Sequence, residues 1–233
     1  MLIRILAAFP LMIACYAGPA WTAEKAAAAE PQKTEEMPVV FEDDFESGLD
    51  RWEFTDDNAW KIAEEDGGHV LSLFAASAYE PPVRSPVNIA WAKDLSVSDF
   101  VLDARLKQTG KEYGHRDLCL FFGRQDATHF YYVHIATKAD DHANSIFLVN
   151  AEPRVSIAKE RTDGTNWTQD YHHVRVERKV AEGTIRVFFD DMDKPIMTAQ
   201  DTTFVAGPIG LGSFDDVGQF DDVVVRGRIV EKR

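Results

Sequence analysis

The chain has 233 residues, of which 45% are hydrophobic and 11% aromatic, and its 25 basic and 39 acidic residues give a net charge of −14. This composition supports a packed core and excludes a disordered or fibrous protein. So acidic a surface repels the phosphates of nucleic acids and of anionic lipids, which excludes nucleic acid as a partner and leaves neutral glycans and cations. The two cysteines, Cys15 and Cys119, cannot build a disulfide framework.

The first 23 residues have the pattern of a secretory signal peptide. Arg4 is followed by a largely apolar run, residues 5–14, and then by small residues. The run is too short to span a hydrocarbon core of about 30 Å as a helix. Two kinds of processing fit this segment: cleavage after a small residue up to Ala23, or lipidation of Cys15, which ends a lipobox-like sequence. We therefore expect a secreted or periplasmic protein, or an outer-membrane lipoprotein that contacts the membrane only through Cys15.

Residues 24–38 contain two prolines and lack apolar periodicity, which predicts a linker before a domain at residues 39–233. From Val39 onward, short alternating runs separated by Gly, Asp, Asn and Pro predict an all-β fold, a two-sheet antiparallel jelly-roll sandwich. Strands are predicted at residues 39–45, 58–63, 69–74, 86–93, 98–107, 117–124, 129–137, 145–150, 154–160, 171–179, 184–190, 195–199, 208–214 and 219–229.

Residues 115–137 predict a hairpin with two different faces. If Arg124 pairs with His129, alternate residues place an aliphatic and aromatic set on the core side. The other face then carries His115, Asp117, Phe121, Phe130, Tyr132 and His134. Aromatic rings stack on the C–H faces of sugars and polar tips bind hydroxyls, so this row is the predicted carbohydrate-binding face. Burial of the row beneath a second layer is the alternative.

Four parts of the chain carry a family pattern. They are residues 41–48 with Trp52 and Trp60, Trp167 with residues 171–176, residues 185–190, and residues 207–214 with 220–223. Together they resemble the concanavalin A-like lectin/glucanase superfamily, especially its laminin-G-like and 3-keto-disaccharide hydrolase (family-16-like) domains. The resemblance covers roughly residues 39–229. It implies a jelly roll whose first and last strands are adjacent and whose glycans occupy the concave face of one sheet.

The resemblance also implies a structural Ca²⁺ site where the first and last strands meet. Asp44, Glu46, Asp221 and Asp222 stand where that pattern places ligands. Ca²⁺ takes about six to eight oxygen ligands, which two aspartate-rich segments brought together by strand pairing can supply. Acidic turns that face solvent are the alternative.

Candidate catalytic residues are few. Glu42, Asp44 and Glu46 have the i, i+2, i+4 spacing of retaining family-16 glucanases. Those enzymes carry the motif on a central strand, whereas here it lies on the first strand, directly before a Ser-Gly turn. His134 and Tyr132 are candidates for a general acid and base. The predicted function is an exported module that binds or helps process carbohydrate. The alternative is a glycoside hydrolase of the 3-keto-disaccharide hydrolase type, or a polysaccharide lyase, acting on an envelope or extracellular glycan.

Overall fold

The computed structural model describes residues 37–231, so the predicted signal peptide, Cys15 and all but the end of the predicted linker lie outside the described residues. Within them the chain forms sixteen strands and one short 3₁₀ helix, Asp57–Ala59, and no helix there is long and apolar enough to cross a membrane. The strands are β1 (Val39–Asp43), β2 (Trp52–Phe54), β3 (Trp60–Glu65), β4 (Gly68–Leu73), β5 (Asn88–Ala92), β6 (Val97–Gln108), β7 (Asp117–Asp126), β8 (His129–Ala136), β9 (Ser145–Asn150), β10 (Val155–Ser156), β11 (Ala158–Arg161), β12 (His172–Lys179), β13 (Thr184–Phe189), β14 (Met197–Gln200), β15 (Ile209–Ser213) and β16 (Gly218–Ile229).

Two antiparallel sheets form a sandwich, which confirms the predicted fold class. The nine-stranded sheet has the order β11, β14, β13, β12, β6, β16, β4, β3, with β1 also paired to β16, and the seven-stranded sheet has the order β10, β9, β8, β7, β15, β5, β2. The first and last strands are therefore adjacent, as the resemblance implies. Alternate residues of both sheets, such as Leu102, Leu120 and Val176, are fully buried between them. Burying each such side chain stabilises the fold by roughly 1.5–3 kcal/mol.

The predicted strands agree with the observed ones to within a few residues at each end, with two differences. β2 is absent from the prediction because a three-residue strand is too short to show alternation. The strand predicted at residues 154–160 is interrupted at Ile157. Its two halves belong to different sheets, because β10 pairs with β9 and β11 pairs with β14.

The β7–β8 hairpin has the predicted register over most of its length. Its core side carries three pairs, Leu118 with Ile135, Leu120 with Val133 and Phe122 with Tyr131. The predicted pairing of Arg124 with His129 is wrong, because the register shifts after Phe122 and His129 pairs with Asp126. Gly123 lies within this bulge with a φ of 68°, a conformation that glycine adopts without strain.

Candidate functional site

The row predicted to bind carbohydrate lies on the outer side of the seven-stranded sheet and is buried. Phe121 and Tyr132 are 0% exposed and Phe130 is 1% exposed. They belong to a second apolar cluster, here called the outer cluster, which consists of Ile89, Trp91, Cys119, Phe121, Phe130, Tyr132, Phe147 and Val149. Asp117 and His134 are also buried, whereas His115 is exposed and pairs with Asp140. The expectation that this row faces solvent is therefore wrong.

Arg154 and the long segment between β4 and β5 cover the outer cluster. Val83 of this segment packs against the cluster, and the carbonyl of Arg84 accepts a hydrogen bond from the Arg154 N–H at 3.1 Å. The Arg154 guanidinium lies 4.7 Å from the ring centre of Phe147 and donates to the Tyr132 hydroxyl at 2.7 Å. A second layer thus buries the aromatic row, which is the alternative that the sequence left open.

Burial also shifts the pKa values of His134, Tyr132 and Cys119 away from the range that acid–base or nucleophilic catalysis near pH 7 would need. It lowers the pKa of His134 to about 3 and raises the pKa of Tyr132 well above its ordinary value, so both groups are neutral near pH 7. Burial likewise raises the pKa of the Cys119 thiol, which donates to Asp117 Oδ2 at 3.0 Å. These residues pack the interior and do not face a substrate.

Two neighbouring depressions on the nine-stranded sheet form the candidate site. They have volumes of 510 and 470 Å³, and Asp222 lines both. The larger, here called the edge groove, is lined by Glu42, Asp43, Asp44, Ser47, Arg51, Asp222, Val223 and Val224. The smaller, here called the sheet groove, is lined by Asp103, Ala104, Arg105, Tyr171, His173, Asp190 and Asp222.

Asp103, on β6, organises the floor of the sheet groove. Antiparallel pairing of β6 with β12 sets it opposite Arg175. Its Oδ1 accepts hydrogen bonds from His173 Nε2 at 2.7 Å and from Arg175 Nε at 2.8 Å. Its Oδ2 accepts from Arg175 Nη2 at 3.2 Å and from Arg226 Nη1 at 3.4 Å. Because such charge-assisted bonds are strong and directional, one carboxylate orients three side chains.

The walls of the sheet groove add an aromatic ring and further acceptors. The Arg105 guanidinium lies 4.8 Å from the ring centre of Tyr171, and its Nη1 donates to Asp222 Oδ2 at 3.2 Å. Asp222 has a φ of 47° within a bulge of β16, which begins after Asp221. Asp190 accepts from the His173 N–H at 3.0 Å. The groove therefore combines hydrogen-bond donors and acceptors with one half-buried tyrosine.

The predicted calcium ligands are not brought together. No three of Asp44, Glu46, Asp221 and Asp222 have oxygens within 4.8 Å of one another, a statement that covers residues 37–231. Asp221 and Asp222 lie 4.0 and 3.2 Å from Arg105 Nη1. Burial, with the nearby Asp222 and Asp44 charges, raises the pKa of Asp221. The oxygens of these four residues do not converge on one point in this arrangement, and calcium at this junction stays a prediction.

Glu46 is engaged by His69. Its carboxylate accepts the His69 N–H at 2.7 Å and lies 2.6 Å from His69 Nδ1. Strand β1 ends at Asp43, and Phe45 has a φ of 59°, so Glu42, Asp44 and Glu46 do not share the face of one strand. The spacing that resembles a glucanase motif therefore does not produce that geometry.

The Glu46–His69 pair has a measurable consequence. The hydrogen bond from His69 and the charge of Glu46 raise the pKa of His69 above its ordinary value of about 6.5. We expect Glu46→Gln to return that pKa toward about 6.5, as measured by NMR titration of the imidazole protons, with the other histidine signals as internal controls. An unchanged His69 titration would show that Glu46 does not contact the ring in solution.

The sheet groove is absent from the sequence prediction. Its residues come from β6, β12 and β16, and Asp103 lies 72 residues from Arg175 in the chain. A weak signal exists, because alternate positions of β6 carry Asp103 and Arg105 and those of β12 carry His173 and Arg175. Such alternation is equally typical of a solvent-facing strand.

Similar folds occur among solved structures at low sequence identity. The carbohydrate-binding module CBM66 from Bacillus subtilis matches with a TM-score of 0.55 and 18% identity, over 77% of this chain and 98% of that one. A second match is domain 4 of AbnA, a GH43 extracellular arabinanase from Geobacillus stearothermophilus, in complex with arabinotriose. Its TM-score is 0.56 and its identity 12%, over 84% of this chain and 96% of that one. The cellulose induced protein Cip1 matches with a TM-score of 0.55 and 11% identity, over 83% of this chain and 100% of that one.

These likenesses show that the chain shares the β-sandwich fold of these three structures. At such identities they show the fold alone, since one sandwich architecture supports many functions. No family model and no curated protein sequence matches the chain.

Proposed function

We propose that the chain is a carbohydrate-binding module of the concanavalin A-like superfamily and that the sugar binds in the sheet groove. The observation that carries this proposal is the fixed set of polar groups around Asp103, beside Tyr171 in a depression of 470 Å³. Each sugar hydroxyl donates one hydrogen bond and accepts others. The Arg105 guanidinium, with its several N–H donors, lies beside the acceptors Asp190 and Asp222 and matches that dual requirement.

The charges around the groove favour a neutral glycan. The carboxylates of Asp103 and Asp222 are already paired with arginines, so the groove offers no surplus cation to an acidic sugar. The net charge of −14 repels anionic polysaccharides at longer range. The volume lies within the range of roughly 300–1,000 Å³ typical of ligand sites, which suits a short oligosaccharide or a chain end.

The fold comparison supports binding as the function. Two of the matched structures are a module named for carbohydrate binding and a domain solved with arabinotriose. Hydrolysis is less well supported, because it needs two carboxyl groups free to exchange protons or attack the sugar. Asp103 is held by His173, Arg175 and Arg226 and does not meet that need.

A screen of neutral oligosaccharides tests the proposal. We expect wild type to bind at least one of them and Tyr171→Ala or His173→Ala to weaken that binding about tenfold or more, because both remove a contact in the groove. Tyr79→Ala is the matched control, since Tyr79 is a half-buried tyrosine in the segment over the other sheet.

Three results would contradict a binding module in this groove. The first is no glycan bound by wild type, and the second is binding that survives both groove substitutions. The third is steady turnover of the bound glycan, which would favour the glycoside hydrolase or lyase alternative.

We also propose that the protein is exported, on the strength of residues 1–23. It is then secreted or periplasmic, or tethered to the outer membrane through Cys15. Intact-mass measurement of protein from its own host should show a chain that begins after residue 14, at the latest after Ala23. A diacylglycerol adduct on Cys15 would establish the tether, and retention of Met1 would contradict export.

A further inference from the structure

Three aspartates meet where β7 begins, away from the β1–β16 junction. Asp117 is the first residue of β7, and Asp215 and Asp216 lie in the loop between β15 and β16. One carboxylate oxygen of each lies within 4.8 Å of the other two. Asp117 is buried, Asp216 is half-buried and Asp215 is exposed. The cluster therefore reaches from the interior to solvent.

Asp117 carries an oxygen without a partner. Its Oδ2 accepts from the Phe214 N–H at 2.7 Å and from the Cys119 thiol at 3.0 Å. Its Oδ1 has no hydrogen-bond partner, although the side chain is 0% exposed. Leaving a buried carboxylate oxygen unsatisfied is unfavourable, so buried acids are normally paired or bound to a metal. This orphaned oxygen points to a missing partner at the cluster.

No basic side chain supplies that partner. Among residues 37–231 no lysine or arginine nitrogen lies within 4.0 Å of the three carboxylates. The nearest basic group is His134, whose Nε2 lies 3.7 Å from Asp117 Oδ1. His134 Nδ1 accepts the Asn144 N–H at 3.4 Å. At 3.7 Å this histidine lies beyond hydrogen-bond distance, so Asp117 Oδ1 has no partner among the described protein groups.

The loop is already positioned around the cluster. Asp216 Oδ2 accepts from the Asp117 N–H at 2.9 Å and from the Tyr113 hydroxyl at 2.7 Å. The Ser213 hydroxyl donates to the Asp216 carbonyl at 2.5 Å. The Asp215 side chain makes no hydrogen bond within the described part of the chain, which leaves its carboxylate free for a ligand. Two aspartates are held in place and the third faces solvent.

We propose that Asp117, Asp215 and Asp216 bind a Ca²⁺ ion. Carboxylate oxygens are the hard donors that this ion prefers, and ligands about 2.3–2.6 Å from one ion lie at most about 5 Å apart, which the cluster satisfies. Water can complete the shell on the side of Asp215. The ion would give Asp117 Oδ1 a partner and would join β7 to the β15–β16 loop. This site is distinct from the one predicted at Asp44, Glu46, Asp221 and Asp222.

Calorimetric titration of the metal-free protein with Ca²⁺ tests the proposal. We expect one ion per chain, and we expect Asp215→Asn to weaken its binding at least tenfold by removing a ligand charge. Because Asp215 is exposed, this variant should fold, and its melting curve in chelator should match that of wild type. Asp222→Asn is the control, since it alters the other predicted calcium site and should leave the affinity unchanged.

The outcomes separate the two locations. Absence of Ca²⁺ binding by wild type would overturn the proposal. An unchanged Ca²⁺ affinity in Asp215→Asn would also overturn it. Loss of Ca²⁺ affinity in Asp222→Asn instead would place the ion at the β1–β16 junction. Ca²⁺ binding should also raise the melting temperature of wild type, and Asp117→Asn, which keeps the shape of the buried side chain, should abolish that rise.

Discussion

Replacing Tyr132 by alanine is expected to lower the free energy of unfolding by about 3–5 kcal/mol, the usual cost of truncating a buried aromatic side chain. Tyr132 is 0% exposed and stacks between Phe121 and Phe147, with ring centres 5.7 and 5.1 Å away. Its removal leaves a cavity beneath Arg154 and the covering segment. Urea or guanidinium unfolding of the variant measures the loss.

Tyr132→Phe is the matched control, because it keeps the ring and removes only the hydroxyl that accepts from Arg154. We expect it to cost about 1.5–3 kcal/mol, the range for losing one hydrogen bond to a charged group. The result that would contradict the buried outer cluster is a Tyr132→Ala protein of near wild-type stability that has lost glycan binding. That result would restore the open aromatic face predicted from the sequence.

Replacing Asp103 by alanine is expected to have the second largest effect. Removal of this carboxylate leaves His173, Arg175 and Arg226 facing one another without a counter-charge. Breaking a buried ion pair from one side costs about 3–5 kcal/mol, and the two arginines are partly exposed, so we expect about 2–4 kcal/mol. We also expect glycan binding to fall, because His173 is no longer oriented.

Glu177→Ala is the control for this prediction. Glu177 pairs with one cation, Arg186, on the same face of the sheet, where such a pair contributes at most about 1 kcal/mol. Denaturant unfolding and the glycan screen should therefore show little change. If Asp103→Ala were as mild as Glu177→Ala in both assays, Asp103 would not organise the groove.

The fold was accessible from sequence because its signals are local. Alternation along β7 and β8 determines which residues face the core, and a one-residue slip would move Leu120 and Val133 away from the core between the sheets, so the register was predictable there. The bulge at Gly123 was not predictable, because a single glycine in a strand can have several structural uses. Burial of the outer cluster depended on the segment between β4 and β5, whose prolines give no periodicity that would predict a covering layer.

The candidate sites were less accessible because they depend on contacts between distant parts of the chain. Asp103 meets Arg226 across 123 residues, and Asp117 meets the Phe214 N–H across 97 residues. Each aspartate is an ordinary strand or turn residue in its local sequence. Only the pairing of β6 with β12 and β16, and of β7 with β15, brings these groups together.

The central claim is that carbohydrate binds on the outer side of the nine-stranded sheet. Titration of isotope-labelled protein with an oligosaccharide identified in the screen, followed by backbone amide NMR shifts, tests it most directly. We predict that the shifts concentrate at residues 103–107, 171–175 and 221–226, and that the amides of β8 and β9 stay unchanged. Shifts confined to residues 74–92 and 129–150 would contradict the account, because they would place the sugar over the outer cluster.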